Sequence, residues 1–84
     1  MEHHHEARRL QVNGIVQGVG FRPFVYALAH RWGLDGWVFN SSDGVDIEIQ
    51  GEPAVLTQFI QALRNEAPPL AHIEEITVAG VPPV

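Results

Sequence analysis

The sequence predicts an α+β fold in which two helices cover one face of a mainly antiparallel four-stranded sheet. Two observations predict it: four segments alternate apolar and polar residues as strands do, and two segments repeat apolar residues at helical spacing. Glycine and proline residues separate these segments, whose order along the chain is βαββαβ. This order is typical of the split-βαβ, or ferredoxin-like, arrangement. Such a fold hosts many unrelated functions, so function has to be inferred from a site.

The first strand and the first helix are predicted in the N-terminal part of the chain. Residues 8–16 alternate apolar side chains, such as Leu10 and Val12, with polar ones, which predicts a strand. Pro23 can occupy a first helical turn, where its missing N–H would have had no partner. The helix is predicted to end at Gly33. Its predicted apolar face consists of Phe24, Ala27, Leu28 and Trp32.

A hairpin, a second helix and a last strand are predicted to follow. The stretch LDGWVFN predicts a strand, SSDG predicts a turn, and VDIEIQ predicts a strand with Val45, Ile47 and Ile49 on one face. Glu52-Pro53 opens the second helix, which ends before Pro68 and whose predicted apolar face is Leu56, Phe59, Ile60 and Leu63. The last strand is predicted from about Ala71 to Val78, with Ile76 and Val78 in alternation.

Length and composition limit the function classes. We expect one domain over residues 8–80, between a disordered or tag-like tail of residues 1–7, which holds His3, His4 and His5, and a C-terminal tail of residues 81–84. The net charge of −5 and the lack of lysine argue against nucleic-acid or membrane partners. No apolar run approaches the roughly 20 residues of a membrane span. The absence of cysteine fits a cytoplasmic location.

The stretch GIVQGVGFRPF, from Gly14 to Phe24, is the candidate functional site. Gly18 and Gly20 allow backbone conformations that bring N–H groups close to a ligand, and the following helix presents unpaired N–H groups at the positive end of its dipole. Arg22 adds a planar guanidinium, which binds two phosphate oxygens at once. The residues alone leave two interpretations open: an anion cradle, or a simple turn with Arg22 in solvent.

Three motifs resemble those of the acylphosphatase family. GIVQGVGFR, GWVFN and DGVDIE are similar, in order, to the phosphate loop, the following strand end and the next hairpin strand of that family, although Val45-Asp46 departs from its usual DGxVE. The continuation GFRPF resembles more narrowly the N-terminal acylphosphatase-like domain of the HypF carbamoyltransferases, which help to make the cyanide ligands of [NiFe] hydrogenases. If so, we expect the other domains of a larger carbamoyltransferase as partners.

The resemblance implies the chemistry and the residues that perform it. It implies hydrolysis of acyl phosphates, plausibly carbamoyl phosphate, with Gln17, Gly18, Val19, Gly20, Phe21 and Arg22 binding the phosphoryl group. Arg22 and Asn40 would be catalytic, with Asn40 orienting the attacking water; taken alone, Asn40 fits turn formation before SSDG better than a catalytic role. No metal or cofactor is implied. The alternative is a regulatory or docking module that binds a phosphate or carbamoyl phosphate with little turnover.

Other chemically capable side chains are expected to have ordinary roles. His30 and His72 are isolated in the sequence and are expected at the surface or half-buried. Ser41 and Ser42 have no base at a recognisable spacing, so neither is expected to be a nucleophile. The aromatic residues on periodic faces are expected in the core, namely Trp32, Trp37, Phe24 and Phe59.

Overall fold

A computed structural model describes residues 5–82 of the chain. The elements are β1 (Glu6–Ile15), α1 (Phe21–Arg31), β2 (Asp35–Asn40), β3 (Gly44–Gly51), α2 (Pro53–Asn65) and β4 (His72–Val81). The strands form one sheet in the order β2-β3-β1-β4, and every neighbouring pair is antiparallel. The predicted βαββαβ fold is confirmed.

Strand pairing extends the first and last strands beyond their predicted bounds. Glu6 and Ala7 pair with Gly51 and Gln50, so β1 begins two residues earlier than expected. At the other end of the chain, Val81 pairs with Ala7 and belongs to β4. The proposed terminal tails fall mainly on residues 1–4 and 83–84, which lie outside the described part of the chain together with His3 and His4.

One face of the sheet and both helices enclose a single apolar core. Buried and more exposed residues alternate along β3, where Val45, Ile47 and Ile49 are all buried as predicted. Leu10 and Val12 are the buried members of the same face on β1. The helices contribute Leu28 from α1 and Leu56, Phe59, Ala62 and Leu63 from α2, with Ile60 half-buried against them.

The buried face of α1 differs from the predicted one. Phe21, Val25 and Leu28 are buried, whereas Ala27 is exposed and Phe24 and Trp32 are only half-buried. Of the predicted positions only Leu28 is fully buried, and the buried Phe21 and Val25 were not predicted. Because the helix begins at Phe21, its core-facing positions follow Phe21 at intervals of four and three residues.

The expectation that Trp37 lies in the core is wrong. Its side chain is 48% exposed, and Phe39, two residues on, is 39% exposed. Val38 between them is buried, because alternate residues of β2 face the helices. The opposite face of the sheet is uncovered, and there Arg9 lies 5.9 Å from the centre of the Phe39 ring. Phe59, in contrast, is fully buried as expected.

Candidate functional site

The loop that joins β1 to α1 is anchored at both ends by buried side chains. Val16 before it and Phe21 after it are each 1% exposed, and Val19 packs against the edge of the core. Gly18 and Gly20 are exposed between these anchors. The loop backbone is therefore held in place while its glycines face solvent.

Backbone conformation explains the two glycines. Gly18 has φ of 73° and Gly20 has φ of 80° with ψ of 15°, which is the left-handed region that residues with a Cβ rarely adopt. A Cβ at either position would meet no atom within 4 Å. Protein packing thus leaves the space above both glycines open, so a ligand can approach the backbone there.

The N–H groups of this loop are available for an anion. Gly20 is the N-cap of α1 and provides no side-chain cap. Within residues 5–82, no N–H from Gly18 to Arg22 donates a hydrogen bond, whereas the Phe24 N–H donates to the Gly20 carbonyl oxygen at 3.3 Å. Pro23 has no N–H to satisfy. Unpaired N–H groups and the positive end of the helix dipole form an anion-binding concavity.

Arg22 is exposed on the first turn of α1 and has no ion-pair or hydrogen-bond partner in the described part of the chain. Most other arginines do have one: Arg8 pairs with Glu6, Arg9 lies near Asp46, and Arg31 pairs with Glu66. The Arg22 guanidinium is therefore unpaired within residues 5–82, and its residue directly follows the loop.

Asn40 is the last residue of β2 and lies on the helix-facing side of the sheet with Val38. It pairs with Val45 and is exposed. β1 and β2 are both antiparallel to β3, so β1 and β2 run in the same direction and their C-terminal ends lie at the same end of the sheet. The structure therefore brings Asn40 to the end of the sheet that carries the glycine loop and Arg22.

Gln17 connects these two parts of the candidate site. Its side-chain Nε2 donates to the carbonyl oxygens of Ser41 and Gly44, at 2.7 Å each. A cleft of about 240 Å³ lies beside this connection, lined by Gly14 to Gln17 and by Ser42 to Gly44. Gln17 was predicted in the loop, but its contacts with Ser41 and Gly44 were not predicted. They span 24 and 27 residues, and no local pattern signals them.

The structure also places the remaining candidates. His30 and His72 are exposed, and no group of three metal-ligating side chains was found among the residues that the structure describes. The Ser41 Oγ is buried without a hydrogen-bond partner in that part of the chain, and Ser42 is exposed. A separate apolar groove of about 220 Å³ between α1 and β2 is lined partly by Tyr26, His30 and Trp37.

The structure is a small α+β domain with a glycine loop at one end of its sheet, where the N–H groups of Gly18 to Arg22 are unpaired within residues 5–82. The sequence profile of the acylphosphatase family matches residues 8–83. The chain belongs to the acylphosphatase family. This confirms the predicted enzyme class, the hydrolases that act on acyl phosphates.

Two groups of relatives share this domain. Carbamoyltransferase HypF2 of Cupriavidus necator is 59% identical over 68 residues, which are 81% of this chain and 8% of that protein. An acylphosphatase of Pediococcus pentosaceus is 40% identical over 92% of this chain and 87% of its own length. A crystal structure of full-length HypF in the phosphate- and nucleotide-bound form matches with a TM-score of 0.94 and 41% identity, over 98% of this chain and 11% of that one.

The chain spans 8 to 10% of the length of the first HypF relatives that it matches. It corresponds instead to most of the length of the free acylphosphatases. In residues 5–82, neither helix has the length and apolar character needed to cross a membrane.

Proposed function

We propose that this chain hydrolyses acyl phosphates to a carboxylate and inorganic phosphate, with Arg22 and Asn40 as its catalytic residues. One observation carries the proposal: the N–H groups from Gly18 to Arg22 are unpaired, and the Arg22 guanidinium beside them has no partner in the described part of the chain. This is the donor set that a phosphoryl group requires.

The backbone N–H groups and Arg22 would bind the phosphoryl oxygens. Phosphoryl transfer has a loose transition state in which charge spreads over the three equatorial oxygens. Donors fixed in position before the reaction stabilise that charge, and the loss of one such donor typically costs about 3 to 4 kcal/mol. The buried anchors Val16 and Phe21 support this role, because they hold the donors in place without a ligand.

Water would attack phosphorus, with its oxygen positioned by the Asn40 amide, which offers both a donor and an acceptor. The new bond joins the water oxygen to phosphorus, and the bond from phosphorus to the acyl oxygen breaks. The water proton passes to a phosphate oxygen. Since the leaving carboxylate has a conjugate acid of pKa about 4, no general acid is needed. This mechanism uses no metal or cofactor.

Carbamoyl phosphate is our proposed substrate, because the HypF relatives are named carbamoyltransferases. The high identity to Carbamoyltransferase HypF2, and the similarity to the HypF crystal structure over 98% of this chain, support a role as the N-terminal domain of a HypF-type carbamoyltransferase. In that role its partners would be the other domains of the enzyme. The free acylphosphatases of similar length support turnover by the domain alone.

A hydrolysis assay tests the proposal. Benzoyl phosphate and carbamoyl phosphate should both be hydrolysed, with inorganic phosphate as a competitive inhibitor. Phenyl phosphate is the matched control, because its leaving phenol has a pKa near 10 and should not depart without an acid. Phosphate binding without turnover of either acyl phosphate would support the alternative, a binding module. Turnover of phenyl phosphate at a similar rate would contradict the mechanism.

A further inference from the structure

The side-chain amide of Gln17 uses both of its N–H donors within the protein. One reaches the carbonyl oxygen of Ser41 and the other that of Gly44, at 2.7 Å in each case. Only the Oε1 acceptor remains, and an acceptor does not bind a phosphoryl oxygen. The donors of the Gln17 side chain therefore bind the β2–β3 turn, although the Gln17 backbone belongs to the loop between β1 and α1.

The two carbonyl groups are the two ends of that turn. The Ser41 N–H donates to the Gly44 carbonyl oxygen at 2.9 Å and closes the turn. Gly44 packs directly on β1, and the contact is so close that a Cβ there would collide with the Val12 carbonyl oxygen. A single amide thus joins the loop after β1 to both ends of the turn that follows Asn40.

Asn40 is held from one side of the sheet, by its pairing with Val45 of β3. β2 is an edge strand that pairs only with β3, and Asn40 is its last residue. Ser41, which follows directly, is held by Gln17 from the side of the sheet where the anion loop lies. Besides that strand pairing, the Gln17 amide links the residue next to Asn40 to the loop after β1.

We propose that Gln17 is a positioning residue, whose amide sets the placement of Asn40 relative to the phosphate cradle. This proposal rests on the proposed function, in which Asn40 orients water. Gln17 is itself exposed, so its side chain contributes to the position of the β2–β3 turn and not to the apolar core. A displacement of about 1 Å of a catalytic group can lower the rate by about 100-fold.

The test is a double-mutant cycle between Gln17 and Asn40. Gln17→Met keeps the length of the side chain and removes both donors. We expect its kcat to fall by about 10- to 100-fold, with KM and phosphate inhibition nearly unchanged. In an Asn40→Ala background, Gln17→Met should have almost no further effect, because residues that act as a unit are not additive. Gln61→Met, at an exposed position on α2, is the matched control.

Three results would overturn the positioning role. They are a normal kcat for Gln17→Met, an equal loss in the Asn40→Ala background, or a loss of phosphate affinity as large as the loss of kcat. If the unmodified chain has no turnover, the proposed function fails separately. Amide hydrogen exchange then tests the positioning role without turnover. Gln17→Met should speed exchange of the Ser41 N–H, and unchanged exchange there would exclude the proposed role of the Gln17 amide.

Discussion

The Arg31 guanidinium donates two hydrogen bonds to the Glu66 carboxylate, at 3.0 and 3.1 Å. Arg31 is the last residue of α1 and Glu66 is the C-cap of α2, so the pair joins the ends of the two helices. The hydrogen bond from Arg31 lowers the pKa of Glu66, and the Coulombic attraction adds to it. The same hydrogen bond raises the pKa of Arg31.

Glu66→Gln should lower the melting temperature slightly at pH 7 and have no effect in strong acid. A carboxyl whose pKa is lower in the folded state stabilises the fold above its unfolded pKa of about 4.5, and this contribution disappears as pH falls through the folded value. The effect is small because both groups are solvent-exposed. Melting curves from pH 2.5 to 7 check it, with the exposed Glu74→Gln as control. If the difference in melting temperature between Glu66→Gln and the unmodified chain stayed constant with pH, it would contradict the link between the Glu66 pKa and stability.

Inorganic phosphate should raise the melting temperature of the chain. A ligand that binds only the folded state stabilises it by mass action, so the shift should increase with the logarithm of phosphate concentration. Phosphate also stabilises proteins generally by exclusion from their surface, so Arg22→Ala titrated in parallel supplies the non-specific baseline. Amide NMR signals of Gly18, Val19 and Gly20 should shift during the titration. A melting temperature that stays constant as phosphate rises through the millimolar range would count against an anion site at this loop.

Arg22→Ala should abolish hydrolysis and leave the fold intact. Its side chain is exposed and unpaired in the described part of the chain, so its removal creates no cavity. Activity, circular dichroism and melting temperature are measured together.

Arg64→Ala is the matched control for that variant. Arg64 is an exposed helical arginine, in the last turn of α2, and likewise has no ion pair within residues 5–82. It should keep full activity. Equal losses in both variants would indicate a general charge effect, and unfolding of Arg22→Ala would indicate a structural role.

Asn40→Ala should lower kcat by about two or more orders of magnitude while KM and phosphate inhibition change little. An interaction made mainly in the transition state affects kcat and not ground-state binding. Steady-state kinetics with benzoyl phosphate measure both parameters. A near-normal kcat would exclude Asn40 as the residue that orients water.

Activity should also persist in EDTA, because the mechanism assigns the phosphoryl charge to Arg22 and the backbone N–H groups. A metal-dependent enzyme would lose its Lewis acid to the chelator. Activity that vanishes in EDTA and returns with Mg²⁺ or Zn²⁺ would contradict this part of the mechanism. The comparison uses the same preparation before and after addition of the ion.

The order of elements and the conformation of the loop glycines could be predicted from the sequence, because both are local. Alternation along VDIEIQ specifies a half-buried strand, and Val45, Ile47 and Ile49 are indeed buried. Pro23 marks the first helical turn, and the two glycines before it have the positive φ that their type allows. Arg22 is part of the same short stretch, so its place beside the loop follows from covalent connection.

Only the tertiary structure decided which faces are covered and which distant groups meet. Trp37 and Val38 are apolar residues next to each other on one strand. The placement of α1 buries Val38 and leaves Trp37 exposed. The core-facing stripe of α1 likewise depends on where the helix starts. The contacts of Gln17 with Ser41 and Gly44 join residues far apart in the chain. Such pairings depend on the stacking of strands and helices, and no residue's local preference encodes them.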